Sequence, residues 1–448
     1  MKYKVSSYIF KTFDGNDMII KSTLSQKVLR IKGNMIETVN ELLDKGDFEA
    51  DVLDEKMQVL YNSGFIIEAD IDEAEIVNYY YNSEVYENNR LELTIIPTNA
   101  CNFNCAYCYQ KEPYFYMSDI TARSIILYIE KNLHKYDGLL ISWFGGEPLL
   151  EKNLIITMME QIRAVCRKHK KPLYSSITTN GYELDESTFS SLIKTHLRFY
   201  QVTLDGPKQI HNRLRPHKTK DDSFDMIVKN LFTIKEKFSK YKFIIALRIN
   251  VSSQTLPFLN EHIDWLTNNF ANDPHFTIVW EYVRDWGGEK IDKNRNLLLN
   301  NKESYEWLKK LSEKGFTFNS GFDRNDRSSA ICTASKRHGF VVNYDGYVYK
   351  CAMVMDSIQY KNINCIGKIT ENGIMQLHIG KMSKWLGRLP DKKCIACVHY
   401  PECMGATCPL NTKILRYPSQ CDELFKNDFQ YIYKNKKSIA NAKCIEEV

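Results

Sequence analysis

Leu91-Glu92-Leu93-Thr94-Ile95-Ile96 runs directly into Cys101-Asn102-Phe103-Asn104-Cys105-Ala106-Tyr107-Cys108, a strand-like stretch followed by a Cys-x3-Cys-x2-Cys loop. Three thiolates in eight residues are one short of the four that close a structural zinc site. A four-iron cluster held by three cysteines keeps one iron open to another ligand. The loop therefore reads as a reactive iron–sulfur site at the end of a strand, with a zinc site lacking a ligand as the plainer alternative.

Outward from this stretch, further strand candidates recur at Gly138 to Trp143, Leu173 to Thr178, Phe199 to Leu204 and Phe243 to Val251. Helical segments such as Ser118 to Tyr136 and Leu154 to Lys168 lie between them. Parallel neighbours need crossover connections, so this alternation predicts an α/β fold with a parallel sheet or partial barrel. Reactive groups in such a barrel gather at the carboxyl ends of the strands. Gly145-Gly146-Glu147-Pro148, Thr179-Asn180-Gly181 and Thr203-Leu204-Asp205-Gly206-Pro207 all follow predicted strands, and Arg248-Ile249-Asn250-Val251 falls within one.

The spacing of the three cysteines, with aromatic Tyr107 before the last, resembles the radical S-adenosylmethionine superfamily, and the strand-end motifs fit it in order. The resemblance implies a partial (β/α)6 barrel with a [4Fe-4S] cluster on Cys101, Cys105 and Cys108. Tyr107, Gly145, Gly146, Glu147, Asn180, Thr203, Arg215 and Arg248 would line the S-adenosylmethionine site. Its amino group would be received by the Gly145–Glu147 segment and its carboxylate by Thr203 and Arg215, a role suited to a guanidinium. Thr203 stands where relatives more often have Ser, and Asn212 where Asp is more usual.

Thirteen cysteines in a chain expected to be cytoplasmic call for metal ligation rather than disulfides. Cys332, Cys351, Cys394, Cys397, Cys403, Cys408 and Cys421 resemble a SPASM/twitch domain carrying two auxiliary [4Fe-4S] clusters. By that pattern Cys394, Cys397, Cys403 and Cys421 hold one cluster. Cys332, Cys351 and Cys408 hold the other, with Cys365 as a candidate fourth ligand. The spacer before Cys408 has four residues instead of the usual three. A zinc ribbon is the alternative for Cys394 to Cys408. Cys166 reads as a core residue of a helix and Cys444 as part of a tail.

In the first 86 residues, Tyr3 to Phe10, Met18 to Lys21 and Lys27 to Ile31 predict a small antiparallel sheet. Two amphipathic helices follow, through Ile36, Val39, Leu42 and Leu43 and through Leu53, Met57 and Leu60, with Gly46 and Gly64 placed to end them. This element resembles the small winged-helix-like peptide-recognition domain of enzymes that modify ribosomally made peptides. The acidic, tyrosine-rich 70–89 stretch reads as a connector. The expected division is thus 1–86 for leader recognition, 87–319 for the barrel and 320–448 for a SPASM region held by metal more than by a large core.

Sixty basic residues against 55 acidic ones leave a net charge of +5, too small an excess to read as a nucleic-acid footprint. The runs Arg167 to Lys171 and Lys434 to Lys437 read as solvated surface. No apolar run is long enough to span a bilayer, and the first ten residues do not read as a signal peptide. The resemblance implies a precursor peptide with a leader as substrate and flavodoxin or ferredoxin as electron donor. The expected reaction is a thioether crosslink formed through a 5′-deoxyadenosyl radical. The alternatives are a carbon–carbon side-chain crosslink, formylglycine-type sulfatase maturation, disfavoured because Ala352 follows Cys351 where such enzymes carry Asp, and a peptide-binding scaffold without chemistry. No residue is assigned as general base.

Overall fold

A computed structural model of the chain describes residues 1–87, 89–110, 114–220, 222–285, 289–299, 331–355, 357, 359–386, 392–405, 409–410 and 443–445. Cys408, Cys421, the 319/320 boundary and Lys434 to Lys437 lie outside these residues. Among the described residues no helix is long and apolar enough to cross a membrane.

The amino-terminal strands are β1 (Lys2–Val5), β2 (Ile9–Asp14), β3 (Asp17–Ser22), β4 (Val28–Ile31), β5 (Asp47–Glu49) and β6 (Ile66–Glu68). They form two sheets instead of the one expected, ordered β5-β1-β6 and, joined by β17 (Lys443–Ile445), β17-β4-β3-β2. The run from Tyr3 to Phe10 breaks between β1 and β2. There the Glu73 carboxylate accepts from the Ser6 hydroxyl at 2.5 Å and the Ser7 amide at 2.8 Å. Helices Met35–Asp44 and Glu55–Asn62 form, although Leu53 falls before the Asp54 N-cap of the second instead of on its face, and Gly46 and Gly64 follow them with φ of 71° and 75°. Left-handed backbone just past a helix is where glycine is favoured.

The 70–89 stretch is not only a connector: Glu73–Tyr86 is a helix capped by Asp72, with Val77, Tyr81 and Val85 buried at four-residue spacing. Two of its tyrosine-rich turns look polar in sequence, yet a tyrosine ring carries enough apolar surface to serve as a core position.

The barrel strands are β7 (Arg90–Ile95), β8 (Gly138–Trp143), β9 (Leu173–Thr179), β10 (Phe199–Thr203), β11 (Ile244–Val251) and β12 (Phe276–Tyr282). They lie side by side in chain order, every neighbouring pair parallel. Strand β12 completes the six and was not among the five strands read from sequence. The crossover helices present one apolar face inward; Lys152–His169 buries Ile155, Met158, Met159, Ile162, Val165 and Cys166. Successive contacts three and four residues apart make such a helix amphipathic and hold it on the sheet.

On the other edge, β13 (Gly339–Val342) pairs parallel with β7, and β14 (Tyr347–Tyr349), β15 (Cys365–Ile369) and β16 (Met375–Leu377) continue antiparallel. One ten-stranded sheet therefore carries both the first cysteine loop and Cys351. Contrary to a region held mainly by metal, Phe340, Val342, Val348, Ile366, Trp385 and Tyr400 join the barrel's own apolar core.

Candidate active site

The cysteine loop leaves β7 at the carboxyl end of the sheet. Cys105 is buried, while Cys101 and Cys108 are half-buried. All three stand as free thiols. The Phe103 amide donates to Cys101 Sγ at 3.4 Å. Burial, with Cys105 and Glu147 nearby, pushes the Cys101 thiol up to about 12, and burial likewise raises Cys105 against the pull of Arg215. Without a metal the Cys101 and Cys105 thiols stay protonated at neutral pH, and a bound metal would have to displace those protons.

Gly145 and Gly146 pass directly over this loop. A Cβ on Gly145 would lie 2.4 Å from the Thr98 carbonyl oxygen, and one on Gly146 would lie 2.1 Å from that of Ala100. The close approach that glycine permits here is thus to the backbone of the cysteine loop. The Gly146 amide donates to Thr98 O at 3.1 Å and the Glu147 amide to Ala100 O at 2.7 Å. The Gln110 amide group covers the Gly145 carbonyl at 2.6 Å.

Glu147 is fully buried and ties the ends of β8 and β9 together. Its carboxylate accepts from the Leu149 amide at 2.9 Å, the Thr179 hydroxyl at 2.7 Å and the Asn180 amide at 2.6 Å. Burial lifts its carboxyl to about 6 and these bonds oppose the rise. Asn180 in turn donates to Asn102 Oδ1 at 2.7 Å, linking β9 to the cysteine loop.

Beyond β10 lies a second buried network. Asp205 accepts from the Asn250 amide at 2.6 Å and from the Tyr107 hydroxyl. Arg215 Nη1 donates to Tyr107 at 2.8 Å and lies 3.9 Å from Asp205. Burial raises the Asp205 carboxyl, while Arg215, Tyr107 and Asn250 favour the charged form. Arg248 donates to Asn250 Oδ1 at 2.9 Å, and Thr203 is buried opposite Arg248 in the β10–β11 pairing. Asn212 accepts from the Ser223 hydroxyl and the Phe224 amide, both at 2.9 Å, and so anchors the start of helix Phe224–Lys237. Asp205 and Asn250 were quoted within motifs but not assigned as site residues. The two-residue offset from Arg248 to Asn250, which puts both on one face of β11, was the available signal.

These residues fit the implied group. Among the described residues, buried Arg215 Nε and Asn102 Nδ2 have no partner. Both are donors, Asn102 within the cysteine loop and Arg215 beside it, suited to a ligand's carboxylate and other acceptors. No three His, Cys, Asp or Glu side chains among the described residues converge on a single-ion site. A four-iron cluster instead spreads its thiolates over separate irons.

The segments that carry Cys351 and Cys365 meet: the buried Asn364 side chain accepts from the Lys350 amide at 3.1 Å and the Cys351 amide at 2.8 Å, and donates to Cys351 O at 2.7 Å. The buried Lys350 ammonium joins this segment to the one after Cys332 through the Lys336 and Gly339 carbonyls at 2.6 and 2.7 Å. Tyr109, next to Cys108, donates to the Met353 sulfur at 3.2 Å, so the two cysteine loops touch. Cys394, Cys397 and Cys403 lie elsewhere, against the amino-terminal strands. The Tyr8 hydroxyl donates to Ile395 O at 3.0 Å, and buried Lys21 pairs with buried Glu402 at 2.6 Å. Cys166 is buried in its helix as expected.

Residues 95–256 match the Radical SAM superfamily. The chain is 27% identical over 304 residues to the Cysteine-type anaerobic sulfatase-maturating enzyme of Clostridium perfringens strain 13, spanning 61% of this chain and 77% of that one. It is also 27% identical over 237 residues to the Radical SAM cyclopropyl synthase TigE of Paramaledivibacter caminithermalis, 47% of this chain and 46% of that one. In fold it is similar to native anSMEcpe with bound AdoMet and Kp18Cys peptide, at a TM-score of 0.62 and 21% identity over 79% of this chain and 99% of that chain.

Proposed function

We propose that the enzyme is a peptide maturase that installs a thioether crosslink in a ribosomally made precursor peptide. Cys101, Cys105 and Cys108 would hold the [4Fe-4S] cluster. With S-adenosylmethionine bound, that group supplies a 5′-deoxyadenosyl radical. The observation that carries this reading is Arg215 Nε beside the cysteine loop and Asn102 Nδ2 within it, buried donors without a partner among the described residues.

The chain's own residues set the site. Arg215 would hold the carboxylate of S-adenosylmethionine, with Asp205 and Tyr107 fixing the guanidinium. Glu147 locks the ends of β8 and β9 beside the loop, and its remaining lone pair would meet the amino group. Cys332, Cys351 and Cys408, with Cys365 as a fourth candidate, would hold one auxiliary cluster, and Cys394, Cys397, Cys403 and Cys421 the other. The Tyr109–Met353 contact supports a short path between the radical site and the first auxiliary site. The first 86 residues would bind the leader, the barrel would span 87–319 and the SPASM region 320–448, with flavodoxin or ferredoxin as electron donor.

A second reading, formylglycine-type maturation of a sulfatase cysteine or serine, draws support from the sulfatase-maturating relative, whatever Ala352 suggests. A carbon–carbon crosslink uses the same radical without a substrate thiol. Mass and fragmentation of the leader-bearing peptide encoded beside the enzyme, after anaerobic turnover, decide among them. Loss of a pair of hydrogens mapping to a cysteine and a distant carbon supports the thioether. The same loss between two carbon side chains, or an aldehyde on one residue, overturns it.

A further inference from the structure

Strand β17 reaches the amino-terminal sheet from beyond the barrel and the cysteine-rich region. It pairs parallel with β4 in the register Lys443 to Leu29, Cys444 to Arg30 and Ile445 to Ile31. Without it, β4 would be the end strand of that sheet. An end strand presents a row of backbone donors and acceptors, which is a template for any extended peptide. Leu29 and Ile31 are buried in the local core with Met18, Ile20 and Val39, while Arg30 is held on the other face by Asp14 and Asp17, each at 2.7 Å. The strand is thus rigidly set and its outer hydrogen-bonding edge is aimed at whatever lies beside it.

We propose that Lys443–Ile445 is a built-in occupant of the β4 edge, competing with an extended segment of the peptide substrate for the same place. This rests on the peptide-maturase reading above and adds a regulatory step to it. The occupant is three residues long. Parallel pairing is slightly weaker per residue than antiparallel, so a longer antiparallel peptide strand can displace it. Edge addition gives a peptide its affinity through main-chain bonds, with side-chain specificity layered on top.

The test compares the full chain with one lacking Lys443 to Val448, and with a full-length variant carrying K443G, C444G and I445G. Hydrogen exchange at the Leu29 to Ile31 amides is read first, without peptide. Both variants are expected to exchange faster there, and a synthetic peptide of residues 439–448 added to the truncated chain to restore protection. Equal protection in all three chains overturns the pairing.

Affinity for the fluorescently labelled leader-bearing peptide is read next. Relief of an occupant present about nine-tenths of the time tightens binding on the order of tenfold. Faster exchange with unchanged or weaker peptide affinity overturns the competition. A leader-bearing peptide that binds none of the three chains, while the 439–448 peptide still protects β4, overturns the leader-recognition reading and leaves the self-strand standing.

Discussion

Replacing Gly146 with alanine tests the contact on which the site is built. Its φ is not in the left-handed region, so the substitution carries no backbone strain and acts through the methyl group alone. That methyl would sit 2.1 Å from Ala100 O and 2.5 Å from Asn99 O. Carbon–oxygen contacts settle near 3.3 Å, so the two backbones must part by about 1 Å. This breaks the Gly146–Thr98 and Glu147–Ala100 hydrogen bonds of 3.1 and 2.7 Å. Losing two buried bonds costs about 2–4 kcal/mol. Overpacking adds about 1–3 kcal/mol.

The expected result for Gly146→Ala is a melting temperature lower by several degrees and poor iron loading, read by thermal unfolding and by iron content and visible absorption after anaerobic reconstitution. Gly15→Ala is the control, since its φ is 63° and nothing lies within 4 Å of the added methyl. That change carries strain without a clash and costs about 1 kcal/mol with no effect on iron. If Gly146→Ala melts and loads iron like the parent, the glycines are not there to admit the cysteine loop.

Three further outcomes follow from other parts of the structure. Lys21→Met leaves Glu402 buried beside Cys403 and is expected to cost about 3–5 kcal/mol, with Lys21→Met/Glu402→Leu recovering most of it; denaturation midpoints of the three chains check this. Asn364→Leu removes the three bonds that frame Cys351 and is expected to lower iron content without abolishing S-adenosylmethionine cleavage, read as iron and 5′-deoxyadenosine per chain. His262 is buried with Nε2 3.0 Å from Leu204 O, and burial holds it down to about 4 against 6.5. The unfolded chain therefore binds its proton first as pH falls. The stability this group contributes is intact above about 6.5 and is lost by about 4, on the order of 3 kcal/mol in all. His262→Gln should flatten the fall in melting temperature between those pH values.

The barrel was legible because its signals are local. Strands alternate with amphipathic helices, and the reactive motifs sit where strands end, so order along the chain already implied order across the sheet. The sixth strand, Phe276–Tyr282, was missed because Thr277 and Glu281 interrupt its apolar residues, which neither alternate cleanly nor run on unbroken. Helix Glu73–Tyr86 was missed because its inward positions include Tyr81, which pattern reading counts as half polar. The split of the first run into β1 and β2 depends on Glu73, far along the chain, and no local pattern announces it. In the site, the cysteine loop was readable from spacing, while Arg215 was named only through the family resemblance. The roles of Asp205 and Asn250 come from a fold that brings β7, β10 and β11 together, and Asn212 became interpretable only once its bonds to Ser223 and Phe224 were seen.

The central claim is that Cys101, Cys105 and Cys108 carry the radical chemistry, and the direct measurement is 5′-deoxyadenosine released from S-adenosylmethionine by the dithionite-reduced, iron-reconstituted enzyme. The parent is expected to form it. A variant with all three cysteines changed to alanine is expected to form none, while still holding iron at its C-terminal sites. Equal 5′-deoxyadenosine from both proteins, or none from a fully loaded parent, would contradict the assignment.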